Sequence, residues 1–293
     1  MTNKCLTLAL HGGAGALRGR DYASELVHMR GLVEAGRDRL RAGASALDVV
    51  VETVVQLEIS GLYVAGRGAS PNTAGRYELD AGVMDGPGQR GGSVAALEGF
   101  VSPITAARAV METTPHVMFV GEGAAALADA RGLERIADPR SWFTHAGGGE
   151  NRAPAELATG TVGCVALDET GAVAAATSTA GIFGKPLGRV GDCPILGAGV
   201  WADPRVAVSC TGAGEMFLRA AAAAQVAHRV RFGGESLASA GDAALAEVKA
   251  LGGDGGLIAI TTDGQLIMPY NSAGMKRAAL LPDGTIVCEV FDG

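Results

Sequence analysis

The junction between Gly160 and Thr161, just past the middle of the chain, most constrains what this sequence can fold into. The stretch 144–156 before it consists mainly of glycine, alanine and polar residues, and it offers almost nothing to a hydrophobic core. Directly after Thr161 the pattern changes to that of a buried strand, Val162-Gly163-Cys164-Val165-Ala166-Leu167. A polar loop that delivers a threonine onto a buried strand makes sense if the chain is cut at Gly160–Thr161, so that Thr161 becomes a new N-terminus.

Composition limits the classes of protein to which the chain can belong. Its 293 residues include 45 glycines, and 48% are hydrophobic but only 4% aromatic, so alanine, valine and leucine must fill a compact core. A net charge of −7 without any run of Lys and Arg argues against a nucleic-acid partner. No apolar run reaches the ~20 residues that span a bilayer, and the start has no signal-peptide pattern. The five cysteines lack C-x-x-C spacing, which favours reduced core cysteines in a cytoplasmic protein.

Turn signals and apolar spacing predict a sheet-rich chain with blocks of helices. The longest predicted helices are 22–41, 45–59, 215–229 and 237–251, and shorter ones are predicted over about 103–113 and 122–131. Segments 161–167 and 172–178 are typical of a hairpin, and Asp263-Gly264 and Asp283-Gly284 mark two more. Because helices do not alternate strictly with strands, the pattern favours an α+β fold over a doubly wound or barrel fold. We expect a single domain, 1–293, with two antiparallel sheets packed face to face and helices outside each.

The proposed cut has a chemical rationale. A threonine hydroxyl is a poor nucleophile until a base removes its proton. An N-terminal threonine carries its own base, because a free α-amine has a pKa near ~8 whereas an amide nitrogen is not basic. Gly160 suits the cut because it has no side chain to block the approach of the Thr161 hydroxyl. The alternative is that Thr161 merely starts a strand, as β-branched residues often do.

Several short motifs are spread in order over essentially the whole chain. They include His11-Gly12-Gly13-Ala14-Gly15, Gly160-Thr161-Val162-Gly163, Gly188-Arg189-Val190-Gly191-Asp192 and Thr211-Gly212-Ala213-Gly214-Glu215. Together they resemble the plant-type asparaginase / isoaspartyl aminopeptidase family. Members are N-terminal-nucleophile (Ntn) hydrolases. The resemblance implies a four-layer αββα sandwich, made as a precursor that cuts itself into residues 1–160, ending in a linker of about 144–160, and residues 161–293. Two such αβ pairs would form a homodimer.

The resemblance also implies roles around the nucleophile. Thr161 would attack, and Thr179 would hydrogen-bond it and help set its reactivity. The Thr211 hydroxyl and the Gly212 backbone N–H would stabilise the oxyanion, whose donors are typically worth ~10²–10³ in rate. Taken alone, the Thr211 to Gly214 run is an ordinary strand-to-helix turn, and Thr179 an ordinary strand threonine.

Arg189 and Asp192 are suited to an α-amino-acid head group. Arg189 can bind a carboxylate through two parallel hydrogen bonds, and Asp192 can bind an ammonium group. Together with Gly212 and Gly214, they would select a free aspartyl group linked through its side chain; a surface ion pair is the alternative. No cofactor is expected for catalysis. The loop from Leu57 to Gly68 corresponds to the family's loop that binds a structural sodium ion through backbone carbonyls, which are ligands suited to a hard cation.

The leading functional hypothesis is a hydrolase of β-aspartyl dipeptides, in its narrowest form β-Asp-Arg, with some L-asparaginase activity. Alternatives are a strict L-asparaginase, a glycosylasparaginase or a threonine endopeptidase. A more remote one is a non-catalytic nucleotide-binding protein that uses Gly12-Gly13-Ala14-Gly15 as a phosphate loop. That loop lacks the Lys-Ser/Thr ending of a P-loop. His11 beside it is expected to be a hydrogen-bonded structural histidine rather than a catalyst.

Three places depart from the family's usual pattern. The family commonly has Asn where this chain has Val64, and Asn where it has Gly184. The stretch 67–76 is also unusual, with Ser70-Pro71-Asn72-Thr73 in place of a more apolar run. These positions are expected to lie in loops that shape the leaving-group side, so they bear on substrate preference more than on the attack itself.

Overall fold

The computed structural model describes residues 6–146 and 160–292. Most of the linker predicted at about 144–160 therefore lies outside the described residues. The strands of the larger sheet are, in chain order, β1 (Thr7–His11), β2 (Leu79–Asp85), β3 (Arg90–Leu97), β4 (Met118–Val120), β5 (Val162–Leu167), β6 (Val173–Thr179), β11 (Arg277–Leu280) and β12 (Ile286–Glu289). The strands of the smaller sheet are β7 (Val200–Ala202), β8 (Val206–Gly212), β9 (Gly255–Thr261) and β10 (Leu266–Ile267).

Neighbouring strands in both sheets run antiparallel, apart from β4, which is parallel to β3. The larger sheet has the order β12-β11-β1-β5-β6-β2-β3-β4, and the smaller has the order β10-β9-β8-β7. The predicted hairpins are present as the pairs β5–β6, β9–β10 and β11–β12. The strand that follows Thr161, β5, therefore lies centrally in its sheet, held by β1 on one side and β6 on the other.

The helices of the described residues are α1 (Ala23–Arg41), α2 (Ala46–Ile59), α3 (Pro103–Thr113), α4 (Gly121–Ala130), α5 (Pro139–Trp142), α6 (Gly214–Ala220), α7 (Ala222–Arg231) and α8 (Leu237–Ala250). None of them is long and apolar enough to cross a membrane. Ser45 caps α2 by accepting a hydrogen bond from the backbone N–H of Asp48 at 3.1 Å. A buried apolar stripe on α2, including Val50, Val54 and Leu57, faces the larger sheet.

Buried side chains from both sheets meet in one cluster. Val165 and Ala175 of the larger sheet and Val200 and Ile258 of the smaller sheet belong to it. Two further clusters join the larger sheet to α1, α2 and α3, and the smaller sheet to α7 and α8. With few aromatics, these cores are built from alanine, valine and leucine, as the composition predicts. Cys164, Cys193 and Cys210 are buried and Cys288 half-buried, and all four are free thiols.

The single helix predicted over 215–229 is wrong, because Ala221 interrupts it. Ala221 adopts a left-handed conformation with φ of 47°, and two helices, α6 and α7, lie on either side. The break turns the first amides of α7 toward a neighbouring loop. There Ala223 N–H donates to Ala198 O at 3.1 Å and Ala224 N–H donates to Gly197 O at 2.8 Å. Tertiary hydrogen bonds thus outweigh a strong local helix propensity. The short strand β7 follows that loop and was not predicted from the sequence.

Candidate active site

Thr161 lies at the entry to β5 and is 5% exposed. Its hydroxyl donates a hydrogen bond to Thr179 Oγ1 at 3.3 Å, and the Thr179 hydroxyl donates to the carbonyl oxygen of Gly160 at 2.9 Å. The backbone N–H of Gly181 donates to Thr179 Oγ1 at 3.0 Å and fixes that side chain. Thr179 therefore contacts both the candidate nucleophile and the carbonyl of the candidate scissile bond.

The glycine loop after β1 lies directly against this bond. Gly13 has φ of 101°, and a Cβ there would come within 3.0 Å of the Gly160 Cα. Val64 covers Gly160 from another side, since a Cβ on Gly160 would lie 3.3 Å from Val64 Cγ2. The first of the family departures is thus a direct contact of the candidate cleavage site. The apolar Val64 side chain helps confine Gly160 but offers no hydrogen bond to it.

His11 fixes the carbonyl oxygen of Thr161 from within the core. Its Nδ1 is 2.9 Å from Thr161 O and its Nε2 is 2.9 Å from Ser209 Oγ. Because a carbonyl only accepts, Nδ1 must carry the hydrogen, and Nε2 must accept from Ser209. Burial lowers the pKa of His11 to about 3, so the ring is neutral. His11 is therefore a buried, hydrogen-bonded histidine, as expected from the sequence.

Thr211 and Gly212 end β8 beside the same glycine loop. Thr211 is buried, and its Oγ1 accepts a hydrogen bond from Ala14 N–H at 3.2 Å, which leaves the hydroxyl hydrogen for another acceptor. Gly212 has φ of 149°, and a Cβ there would lie 2.4 Å from Asp254 O. Only glycine fits at position 212, because the backbone of the strand passes so close to the chain before β9. The structure thus places a hydroxyl donor and the backbone amide of a glycine at one end of β8.

Arg189 and Asp192 face each other across Gly214. A Cβ on Gly214 would lie 3.0 Å from Asp192 Oδ1 and 3.1 Å from Arg189 Nη2, so the absence of a side chain leaves space between the two charges. A Cβ on Gly181, which bonds to Thr179, would lie 3.4 Å from Arg189 Nη1. Gly181 therefore lies between the Arg189 guanidinium and Thr179, the hydrogen-bond partner of the candidate nucleophile Thr161.

The partner of Arg189 is Glu215, which was not singled out from the sequence. Arg189 Nε and Nη2 donate to the two Glu215 carboxylate oxygens at 2.9 Å each. The simple surface pair between Arg189 and Asp192 that we considered as an alternative is therefore not what forms. Asp192 is 4% exposed, and its Oδ2 has no hydrogen-bond partner among the described residues. A buried, unpartnered carboxylate oxygen is costly, and an ammonium group is the ligand that would satisfy it.

The pKa of Asp192 leads to a testable pH dependence. Burial raises this pKa to about 7 against the opposing hydrogen bond and the Arg189 charge. Below that pH the free enzyme carries a neutral Asp192, which binds an ammonium group poorly. We expect KM for an aspartyl substrate to fall as the pH rises toward 7, by about tenfold per pH unit in acid. A KM that stays constant from pH 5 to 8 in steady-state assays would contradict this role.

The sequence of this chain is similar to those of known proteins. The family model described as asparaginase matches residues 4–287. The chain is 45% identical to the isoaspartyl peptidase of Escherichia coli (strain K12), over 92% of this chain and 91% of that protein. It is 39% identical to the isoaspartyl peptidase/L-asparaginase of Homo sapiens, over 93% and 92% of the two chains. It is 38% identical to the plant-type L-asparaginase of Pyrobaculum calidifontis, over 92% and 95%.

These matches agree with the motifs from the sequence and run through nearly the whole chain. They include Thr161 and the strand β5 that follows it, the end of β6 with Thr179, the glycine-rich segment with Arg189 and Asp192, and the end of β8. The chain therefore belongs to the asparaginase family.

Proposed function

We propose that the chain is a self-processing threonine hydrolase that cleaves β-aspartyl dipeptides and has L-asparaginase as a side activity. The observation that carries the proposal is the placement of Arg189 and Asp192 on either side of Gly214, with Gly181 between Arg189 and the Thr161–Thr179 hydrogen bond. A site with one guanidinium and one unpartnered buried carboxylate matches the carboxylate and ammonium of an aspartyl group. Relatives named isoaspartyl peptidase support the same substrate class.

The first reaction is the cut between Gly160 and Thr161. The Thr161 hydroxyl oxygen attacks the Gly160 carbonyl carbon, and the oxygen that becomes negative already accepts a hydrogen bond from Thr179. The C–N bond breaks, and the proton lost by the Thr161 hydroxyl is taken up by the nitrogen, which becomes the free amine of Thr161. Water then hydrolyses the ester between Gly160 and the Thr161 oxygen. The products are residues 1–160 and 161–293.

The second reaction uses the amine that the first reaction releases. The Thr161 amine accepts the hydroxyl proton, and the oxygen attacks the side-chain carbonyl of the bound aspartyl group. Thr211 and Gly212 would donate to the oxyanion, and the leaving amine takes the proton back from Thr161. Water hydrolyses the acyl-enzyme and releases aspartate.

The architecture supports a four-layer αββα arrangement in one domain. The apolar cluster between the sheets and the helical clusters on their outer faces are what such a sandwich requires. A homodimer of cleaved αβ pairs and a cytoplasmic location stay predictions from the sequence.

A structural sodium ion in the loop from Leu57 to Gly68 is also part of the proposal. A Cβ on Gly66 would lie 2.7 Å from Glu58 O, and a Cβ on Gly68 would lie 1.7 Å from Tyr63 O. The loop thus packs backbone carbonyls into a space that only glycines leave open, and oxygen ligands suit a hard cation. Its backbone carbonyls would hold the ion, which would stabilise the loop beside Val64.

Kinetics can identify the leaving group, which is the residue or the ammonia released from the aspartyl side-chain carbonyl. We propose comparing kcat/KM for β-Asp-Arg, β-Asp-Leu and asparagine with the cleaved protein. A dipeptidase is expected to prefer both dipeptides over asparagine, because the dipeptides offer more contacts. Equal values for the two dipeptides would exclude β-Asp-Arg as the specific substrate, and activity on asparagine alone would establish the strict asparaginase alternative.

A further inference from the structure

We propose that Asn72 and Glu78 form a buried brace that positions Arg189 for the substrate carboxylate. This inference rests on the proposed function and adds two positioning residues to it. It also gives a role to the polar stretch 70–73, which departs from the family's usual pattern.

The brace centres on the Glu78 carboxylate, which is 5% exposed. The backbone N–H of Gly188 donates to both of its oxygens, at 3.0 and 3.1 Å, and Asn72 Nδ2 donates to Oε2 at 2.8 Å. Gly188 has φ of 78° and directly precedes Arg189. The buried carboxylate therefore holds the residue from which the Arg189 side chain departs.

The orientation of Asn72 is fixed by its own oxygen. Asn72 Oδ1 accepts hydrogen bonds from Ala74 N–H and Arg76 N–H, both at 2.9 Å. The amide NH₂ must therefore point at Glu78. Exchanging the amide oxygen and nitrogen would place the NH₂ against the N–H groups of Ala74 and Arg76, which also donate. Asn72 is thus a committed donor and Glu78 a committed acceptor, and this polarity is what the experiment below exploits.

A second contact ties the same two loops together. Lys185 is 1% exposed, and its Nζ donates to Glu78 O at 3.0 Å. Thr73 N–H donates in turn to Lys185 O at 2.9 Å. The segment that leads to Arg189 is therefore held at Lys185 and at Gly188, in both cases by residues 72–78. Leu187 between these two anchors is 51% exposed, so the core does not hold the segment there.

Positioning of Arg189 matters because its guanidinium has two edges. The Nε–Nη2 edge is occupied by Glu215, and Nη1 faces Gly181 and Gly191, where Cβ atoms would lie 3.4 and 3.2 Å away. The remaining edge is formed by Nη1 and Nη2, and a Cβ on Gly214 would lie 3.1 Å from Nη2. A shift of the Gly188 backbone would move this edge away from the space above Gly214. Small displacements of a binding group weaken binding of the charged substrate without touching the nucleophile.

The test reverses the polarity of the brace. In Glu78→Gln, the new amide NH₂ must face either the Asn72 amide or the Gly188 N–H, and both of these donate to the native carboxylate. One hydrogen bond is therefore replaced by a donor-to-donor contact. Asn72→Asp sets two carboxylates against each other. The double variant Asn72→Asp with Glu78→Gln restores one donor and one acceptor. In it, the new carboxylate at position 72 still accepts from residues 74 and 76, and the new amide at position 78 donates to that carboxylate. The double variant also keeps the original net charge.

We expect each single variant to raise KM for a β-aspartyl dipeptide by about tenfold, equivalent to about 1.4 kcal/mol. We expect kcat to change little and the double variant to recover most of the loss. The control substrate is the same dipeptide with its aspartyl α-carboxylate converted to a carboxamide, on which the single variants should differ much less from the wild type. Intact mass should show normal cleavage in all variants, because the brace does not contact Thr161.

Three outcomes would overturn the inference. They are an unchanged KM in Glu78→Gln, a double variant as impaired as the single ones, or an equal loss on both substrates together with a lowered Tm, which would mean a purely structural role. Failure of the proposed function gives a different result, since the wild-type protein would then neither hydrolyse β-aspartyl dipeptides nor bind L-aspartate in calorimetry.

Discussion

Thr161→Ala is expected to leave the chain as one polypeptide of 29.4 kDa and to abolish hydrolysis of aspartyl substrates. In the proposed mechanism both reactions need the same hydroxyl oxygen, first against Gly160 and then against substrate. The variant should fold, because Thr161 is replaced by a smaller residue at the edge of β5 and the His11 bond to its backbone carbonyl remains. Loss of a nucleophile from a catalytic unit typically costs a factor of about 10⁶ in kcat.

Thr161→Ser is the matched control. It keeps the hydroxyl and the hydrogen bond to Thr179, so cleavage and activity should persist at reduced rates. Denaturing gels after prolonged incubation, together with assays on a β-aspartyl dipeptide, separate the two variants. Normal activity in Thr161→Ala would contradict the assignment of the nucleophile.

Arg189→Met is expected to lower kcat/KM for β-aspartyl dipeptides by a factor of about 10²–10³, equivalent to about 3–4 kcal/mol. The substitution keeps an unbranched side chain as far as the position of Arg189 Nε but removes the rest of the guanidinium, which faces the space above Gly214. The substrate carboxylate would then enter a partly buried site without a partner. Cleavage at Gly160–Thr161 should proceed normally, because that reaction involves no free carboxylate.

Glu215→Gln provides the control for Arg189→Met. Glu215 pairs with Arg189 from the exposed side, and its side chain is 57% exposed. Removing its charge leaves the guanidinium in place, so kcat/KM should change far less than in Arg189→Met. Equal losses in the two variants would indicate that the ion pair, and not the recognition of the substrate carboxylate by Arg189, accounts for the effect.

Much of the fold was predictable because its signals are local. The Asp-Gly turns at 263–264 and 283–284 and the two apolar runs at 161–167 and 172–178 predicted hairpins that the structure contains. The family was also predictable, because several glycine motifs agree in order and the family model covers residues 4–287. The break at Ala221 was not, since nothing in an alanine-rich stretch signals a left-handed residue whose gain lies in bonds to Gly197 and Ala198.

The candidate site also contains residues that the sequence predicted and residues that only the structure revealed. Thr161, Thr179, Arg189 and Asp192 were identified from motifs, and their roles stay predictions that the variants above test. Glu215 was missed as the partner of Arg189, although an acidic residue just after the Thr211-Gly212-Ala213-Gly214 turn was visible. The contacts of Asn72 were hidden because they depend on a loop that approaches Gly188 only in the folded chain.

The central claim is that the chain activates itself by cutting before Thr161. Intact mass spectrometry of the purified protein, followed by N-terminal sequencing, tests it most directly. The account predicts two fragments, residues 1–160 and 161–293, the second beginning with Thr161-Val162-Gly163. A fully active protein that remains one uncut chain of 29.4 kDa would contradict it.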